Sequence, residues 1–215
     1  VIGYGLTETV AVLTLNDLKP FRADSVGAPV PGVEVAVRDQ DASGVGEVWV
    51  RSRTVMQGYF REPELTREVL VDGWFRTGDL GNVDVTGHLR LFGRAKNMIV
   101  TDGGKNIYPE DIEAVFDSVP CEELCVFAQR FVWREQELRD EGLCVVVRPR
   151  ASVPLEETLA AIQTANRKLA DFKRVNTYAV LPQEFPRTAS MKVKRAQLAD
   201  QVRDAVSAPT ALPQS

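Results

Sequence analysis

Apolar and polar positions alternate over Val33-Glu34-Val35-Ala36-Val37 and again over Gly46-Glu47-Val48-Trp49-Val50-Arg51-Ser52. A period of two predicts strands with one buried face. The first run follows Pro31-Gly32, a turn former. Leu89-Arg90-Leu91-Phe92 closes the set, and one helix is predicted between, from about Pro63 to Leu70. Residues 1–95 therefore read as a β-rich unit of hairpins with ligand-facing loops at its edge.

From Lys96 onward the pattern mixes the two periods. Met98-Ile99-Val100 is a short strand and Asp102-Gly103-Gly104-Lys105-Asn106 a turn. Pro109-Glu110-Asp111-Ile112-Glu113 opens a helix with proline and acids in its first turn. Strands are predicted over Leu124–Ala128, Leu143–Val147 and Tyr178–Leu181. Ser152 is the expected cap of a helix whose apolar positions Leu155, Leu159, Ile162 and Leu169 share a face. A last helix is predicted from Val193 to Val206, and the Pro- and Ala-rich stretch 207–215 as a disordered tail. The fold class is α/β: a β-rich part over 1–95, then a small α+β domain over 96–206. No internal repeat is visible.

Composition narrows the function. Of the 215 residues 44% are apolar, enough for a packed core. A net charge of -4 argues against a nucleic-acid surface, so an anionic ligand has to be met by local cations. Cys121, Cys125 and Cys144 have no zinc-like spacing and lie far from the only histidine, His88. They read as reduced structural thiols, which points to the cytoplasm. No apolar run is long enough to span a membrane, and no signal peptide is visible. The chain begins inside an apparent strand, as a fragment of a longer protein would.

Four segments carry candidate chemistry. In Gly73-Trp74-Phe75-Arg76-Thr77-Gly78-Asp79-Leu80 a buried-looking aromatic pair leads into a Gly-flanked carboxylate, and Gly93-Arg94-Ala95-Lys96 follows. Gly78 lets the backbone turn close to a ligand. Asp79 offers acceptors for both hydroxyls of a ribose diol. Arg94 offers a donor fork for a sugar or phosphate edge. Alone, an Asp after Gly is an ordinary turn residue; in this order the set reads as half of a nucleotide site. Tyr4-Gly5-Leu6-Thr7-Glu8-Thr9 places a flat ring, a hydroxyl and a carboxylate after a strand, suited to a base, a phosphate and magnesium. A strand-end turn with a capping threonine is the plainer reading. Pro186-Arg187-Thr188-Ala189-Ser190-Met191-Lys192-Val193-Lys194-Arg195 is a polar loop with three cations at the start of the last helix. Cations at a helix N-terminus cost stability, which a role on an anionic substrate would explain. Met56, Tyr59 and Phe60 read as packing residues, and His88 as an exposed turn residue.

In this order the segments resemble the adenylate-forming superfamily: acyl-CoA synthetases, adenylation domains of peptide synthetases and firefly-type luciferases. Tyr4-Gly5-Leu6-Thr7-Glu8 is similar to the family's aromatic-Gly-x-Thr-Glu motif, and Gly73–Asp79 to its ribose-binding motif. Gly93–Lys96 is similar to its hinge, and Ser190-Met191-Lys192 to the motif of its catalytic lysine. The family's Thr-Ser-Gly-Thr-Thr-Gly-like phosphate loop is not in the sequence. The resemblance thus implies the carboxyl-terminal part of a longer enzyme, inactive alone, ending in a mobile lid. By the same resemblance a carboxylic acid and ATP form an acyl-adenylate, which CoA converts to a thioester with release of AMP. Tyr4 would stack on adenine, Thr7 touch phosphate and Glu8 hold magnesium. Asp79 and Arg94 would bind ribose, and Lys192 would bridge carboxylate and α-phosphate. Lys96 would be the pivot about which the small domain turns to bring Gly103 and Gly104 to the thiol, with Lys105 beside CoA phosphate.

Two details resemble the long-chain fatty acyl-CoA synthetases. They are the double glycine of Asp102-Gly103-Gly104-Lys105-Asn106, and Met191-Lys192-Val193-Lys194-Arg195, where many other members carry Gly in place of Met191. A medium- or long-chain acid is the expected substrate, with peripheral membrane contact of the full-length enzyme and no transmembrane segment. Two alternatives are a fatty acyl-AMP ligase and an amino-acid-adenylating domain, each loading a carrier protein. A third is a folded module without chemistry.

Overall fold

The computed structural model describes residues 2–10, 12–17, 21–101, 104–133, 142–189 and 191–213. The chain divides into two units, Val1–Met98 and Ile99–Ser215.

In the first unit, β1 (Gly3–Gly5), β2 (Val12–Leu15) and β3 (Ala28–Pro29) form a small antiparallel sheet. A larger sheet follows, made of β4 (Val33–Arg38), β5 (Gly46–Ser52), β6 (Leu70–Val71), β7 (Trp74–Val83) and β8 (Leu89–Arg94). Its order is β4-β5-β7-β6, with β8 also on β7. Helix α1 (Pro63–Val69) lies between β5 and β6 in sequence. The alternation of β5 turns Val48 and Val50 into a core with Phe75, Leu89, Leu13 and Tyr4. The other face carries a ladder of cations and indoles. Arg38 lies 4.0 Å from the Trp49 ring centroid, and Arg51 4.7 Å from that of Trp74. Trp74, buried-looking in the sequence, is therefore only half-buried, while Phe75 enters the core.

The second unit opens with the hairpin of β9 (Ile99–Val100) and β10 (Asn106–Ile107), then α2 (Pro109–Val115). Its main sheet is built from β11 (Glu123–Ala128), β12 (Leu143–Arg148), β13 (Val175–Val180) and β14 (Thr210–Ala211), in that order. Only β12 and β13 are parallel, joined through α4 (Leu155–Asn166). A short α3 (Gln129–Val132) follows β11, and α5 (Arg195–Ala205) lies near the end. Both faces of β12 are buried, which is why it reads as the unbroken run Leu-Cys-Val-Val-Val. Val145 and Val147 pack with Ile112, Leu159 and Ile162. Cys144 and Val146 pack on the opposite face with Leu198 and Val202. The mixed strand-and-helix class expected from the sequence is the observed one.

Three expectations are corrected. Helix α4 is capped by Pro154, not Ser152, because the extended backbone of Pro154 ends at Leu155, where helical angles begin. The last helix starts at Arg195, not Val193, because Val193 is spent in a bridge to Arg187. The tail is not disordered from 207: β14 pairs with β13, and Leu212 is buried in the α2/α4-side core.

Candidate functional site

Asp79 owes its position to a bulge in β7. Glu47 pairs with Leu80 and Trp49 with Arg76, so Thr77, Gly78 and Asp79 together face Val48. Gly78 takes φ +69°, and a Cβ there would meet the Arg94 guanidinium at 3.5 Å. The buried Thr77 hydroxyl donates to the Val48 carbonyl at 2.7 Å and accepts from the Asp79 N–H at 3.0 Å. The expected glycine turn is thus a kink within a ten-residue strand.

Asp79 is only 6% exposed. The Tyr4 hydroxyl donates to its Oδ2 at 2.5 Å, and Arg94 Nη1 donates to its Oδ1 at 2.8 Å. Arg94 reaches it because the two residues are register partners across β7 and β8. Burial, and then the Asp79 charge, push the Tyr4 phenol far above its ordinary value, so it stays a donor. Each carboxylate oxygen retains a lone pair for a further donor such as a diol hydroxyl. Tyr4 also borders an open cleft of about 620 Å³ that Gly3, Gly5 and Thr7 share.

Thr7 and Glu8 sit on a single 3-10 turn after β1. Thr9 caps it: its hydroxyl donates to the Leu6 carbonyl at 2.9 Å and accepts from the Leu6 N–H at 3.1 Å. That leaves Thr7 exposed and Glu8 half-buried. Glu8 Oε1 accepts from the Tyr59 hydroxyl at 3.1 Å, and its carbonyl accepts from the Met56 N–H at 2.7 Å. Tyr59, which sequence reasoning took for packing, is therefore hydrogen-bonded to a residue of the candidate site. No local spacing links it to Glu8; the signal lies in Thr66 of α1, whose hydroxyl accepts from the Tyr59 N–H at 2.9 Å and pins the loop. Met56 does pack on the core, whereas Phe60 is 85% exposed with Arg61 over its ring. His88, expected to be exposed, is half-buried beside Thr86.

In the second unit, Lys192 is exposed near the tip of a hairpin closed by the Arg187–Val193 bridge. The Thr188 N–H donates to the Lys192 carbonyl at 2.8 Å, and the Lys192 N–H donates to the Thr188 hydroxyl at 3.1 Å. Met191 takes φ +65°. Arg195 does not join Lys192 in facing outward: its guanidinium donates to both oxygens of Glu113, at 2.7 and 2.8 Å, and to the Val126 carbonyl. A structural ion pair thus offsets the cost of that cation at the helix start. Lys105 is exposed, its ammonium 4.4 Å from the Phe172 ring centroid. Lys96 is exposed in a 3-10 turn over Ala95–Asn97, just before the division between the units. Asp102, Gly103 and Ser190 lie outside the described residues. Burial lifts the Cys144 thiol to about 12 and also raises Cys125, leaving both unreactive at neutral pH.

Among the described residues, no group of three or more His, Cys, Asp or Glu is placed to hold a metal ion. No helix among them is long and apolar enough to cross a membrane.

A family model described as "AMP-binding enzyme" matches residues 1–60. The long-chain-fatty-acid–CoA ligase FadD15 of Mycobacterium bovis is 34% identical over 96% of this chain and 37% of its own length. A long-chain-fatty-acid–CoA ligase of Yersinia pestis is 37% identical over 93% and 35%. Among solved structures, O-succinylbenzoate coenzyme A synthetase (MenE) from Bacillus subtilis, in complex with AMP, superposes with a TM-score of 0.76. That match is 27% identical and covers 97% of this chain and 41% of the synthetase. The chain thus spans between about a third and two fifths of the length of the proteins it matches.

Proposed function

This chain belongs to the AMP-binding, adenylate-forming enzymes, and from that membership we propose that it carries the nucleoside-binding and lysine-bearing parts of an acyl-CoA synthetase. The enzyme activates a medium- or long-chain fatty acid with ATP and passes the acyl group to CoA, releasing AMP. The observation that carries this reading is the β7 bulge, which presents a buried Asp79 between Tyr4 and Arg94.

Asp79 accepts the ribose hydroxyls through its remaining lone pairs, with Arg94 as a neighbouring donor. Tyr4 holds Asp79 through its hydroxyl, and its ring is packed into the core, so the stacking on adenine that the resemblance implies for it requires the ring to be uncovered. Thr7 meets phosphate. Lys192 supplies a cation where the acid's carboxylate and the α-phosphate meet, and there its charge stabilises the transition state. Magnesium prefers oxygen ligands and keeps most of its waters, so the single Glu8 carboxylate, steadied by Tyr59, fits as its protein ligand. Bound there, the ion would neutralise phosphate charge. Gly104, at φ +71° with open space where a Cβ would stand, offers bare backbone to a narrow thiol-bearing arm, with Gly103 before it and Lys105 after it. Lys96 is the pivot.

In the full-length enzyme, Lys192→Ala is expected to slow acid-dependent pyrophosphate exchange by at least ~100-fold, as for the loss of one pre-organised donor. Asp79→Ala is expected to raise the KM for ATP by about 10-fold or more, the size of a lost charge-assisted hydrogen bond. Exchange at the wild-type rate in the first variant, or an unchanged KM in the second, overturns these assignments. Thioester formation over acids of graded chain length tests the substrate class.

A further inference from the structure

Glu123 and Arg187 have no part in the roles above, yet they meet at the base of the Lys192 hairpin. Glu123 opens β11 with its side chain 8% exposed. Its Oε2 accepts from the Phe185 N–H and from Arg148 Nη1, each at 3.0 Å, and its Oε1 accepts from Arg187 Nη2 at 2.5 Å. Burial alone would raise this carboxyl; the Phe185 N–H and the two arginines outweigh it and hold it below the ordinary carboxylate range. Arg148 is also its register partner on β12, so the charge is fixed to the end of the β11–β12 ladder.

Arg187 carries that rigidity outward. While one arm of its guanidinium meets Glu123, the other, Nη1, donates to the Met191 carbonyl at 2.6 Å. The acceptor belongs to the peptide that joins Met191 to Lys192. Met191 is 65% exposed and holds a left-handed φ, so side-chain packing does little to fix this turn. A planar fork can make both contacts at once, whereas a lysine ammonium at the same place is a point charge without that geometry.

We infer that Glu123 and Arg187 are positioning residues for Lys192, a carboxylate–guanidinium brace that sets the Met191–Lys192 peptide and thereby aims the lysine during acyl-adenylate formation. This rests on the role proposed for Lys192. The test uses Arg187→Lys and Glu123→Gln in the full-length enzyme, with both half-reactions measured on each preparation. Pyrophosphate exchange should fall in kcat by about 10-fold or more with little change in the KM for ATP, the loss expected when a reacting group is misplaced by a fraction of an ångström. Thioester formation from supplied acyl-adenylate and CoA should stay near wild type, which also certifies that the variant is folded. Added to Lys192→Ala, Arg187→Lys should cost nothing further, because a brace has no effect without what it braces. Wild-type exchange in Arg187→Lys, equal falls in both half-reactions, or additive losses with Lys192→Ala would each overturn the inference. If Lys192→Ala itself leaves exchange intact, the underlying reading fails as well. If Lys192→Ala abolishes exchange and Arg187→Lys does not, only the brace fails.

Discussion

Met191 shows how one backbone angle can account for a sequence difference. The resemblance to adenylate-forming enzymes places glycine at this position in many members, and here the chain has φ +65° with a methionine. A non-glycine residue in that region costs about 1–2 kcal/mol, because its Cβ crowds the carbonyl oxygen. Since the side chain is 65% exposed, little packing repays this. Met191→Gly is therefore expected to stabilise the protein by about 0.5–1 kcal/mol, after the entropy of a freer unfolded chain is set against the relief. Met191→Val, branched at Cβ, should destabilise it. Urea unfolding midpoints of the two variants measure this, and a shift of the same sign in both would refute the argument. Asp79 is the contrasting case. It was visible in the sequence as a Gly-flanked carboxylate, but its partners Tyr4 and Arg94 come from distant segments, 75 and 15 residues away.

At the scale of elements, strands that alternate or run unbroken in apolar residues were legible, and a strand with neither signal was not. In β5 the alternation sends Val48 and Val50 to the core, while Trp49 on the opposite face is covered by Arg38; in β4 Glu34 is exposed among half-buried neighbours. β14 is two residues long, with Thr210 and Ala211 both exposed, so no periodicity announces it. Its place comes from tertiary contacts. Leu212 is 8% exposed in the core, its N–H donates to the Asn176 carbonyl at 2.9 Å, and the neighbouring Pro213 carbonyl accepts from Gln163. Leu212→Ala should cost about 2–3 kcal/mol, the low end for a buried leucine, since the site lies at an edge. A denaturation midpoint unchanged by this substitution would return the segment to the status of a tail. The same logic covers Arg195, whose cost at a helix N-terminus is met by Glu113 from α2, 82 residues earlier.

Over the whole molecule, the two units meet in sequence at Met98 and Ile99. Lys96 stands just before that junction, in a turn whose closing bonds are donated by the Met98 N–H to the Arg94 and Ala95 carbonyls. If the backbone at 96 has to change φ between the half-reactions, proline there blocks the change. Lys96→Pro in the full-length enzyme is expected to leave pyrophosphate exchange within about threefold of wild type, because the surface turn keeps its closing bonds, and to suppress thioester formation by 10-fold or more, about the cost of a single fixed dihedral in a gating step. Equal losses in both would refute the pivot. The order of the motifs, the fold class and the residues that could meet a nucleotide and an acid were determined by the sequence alone, because periodicity and residue chemistry are local properties. What only the tertiary structure decided was which of those residues touch: the bulge that buries Asp79, the register that brings Arg94 to it, the loop that carries Tyr59 to Glu8, and the brace from Glu123 through Arg187 to the Lys192 peptide. Each joins segments through burial and strand register, and neither leaves a mark within the short windows in which a sequence can be read.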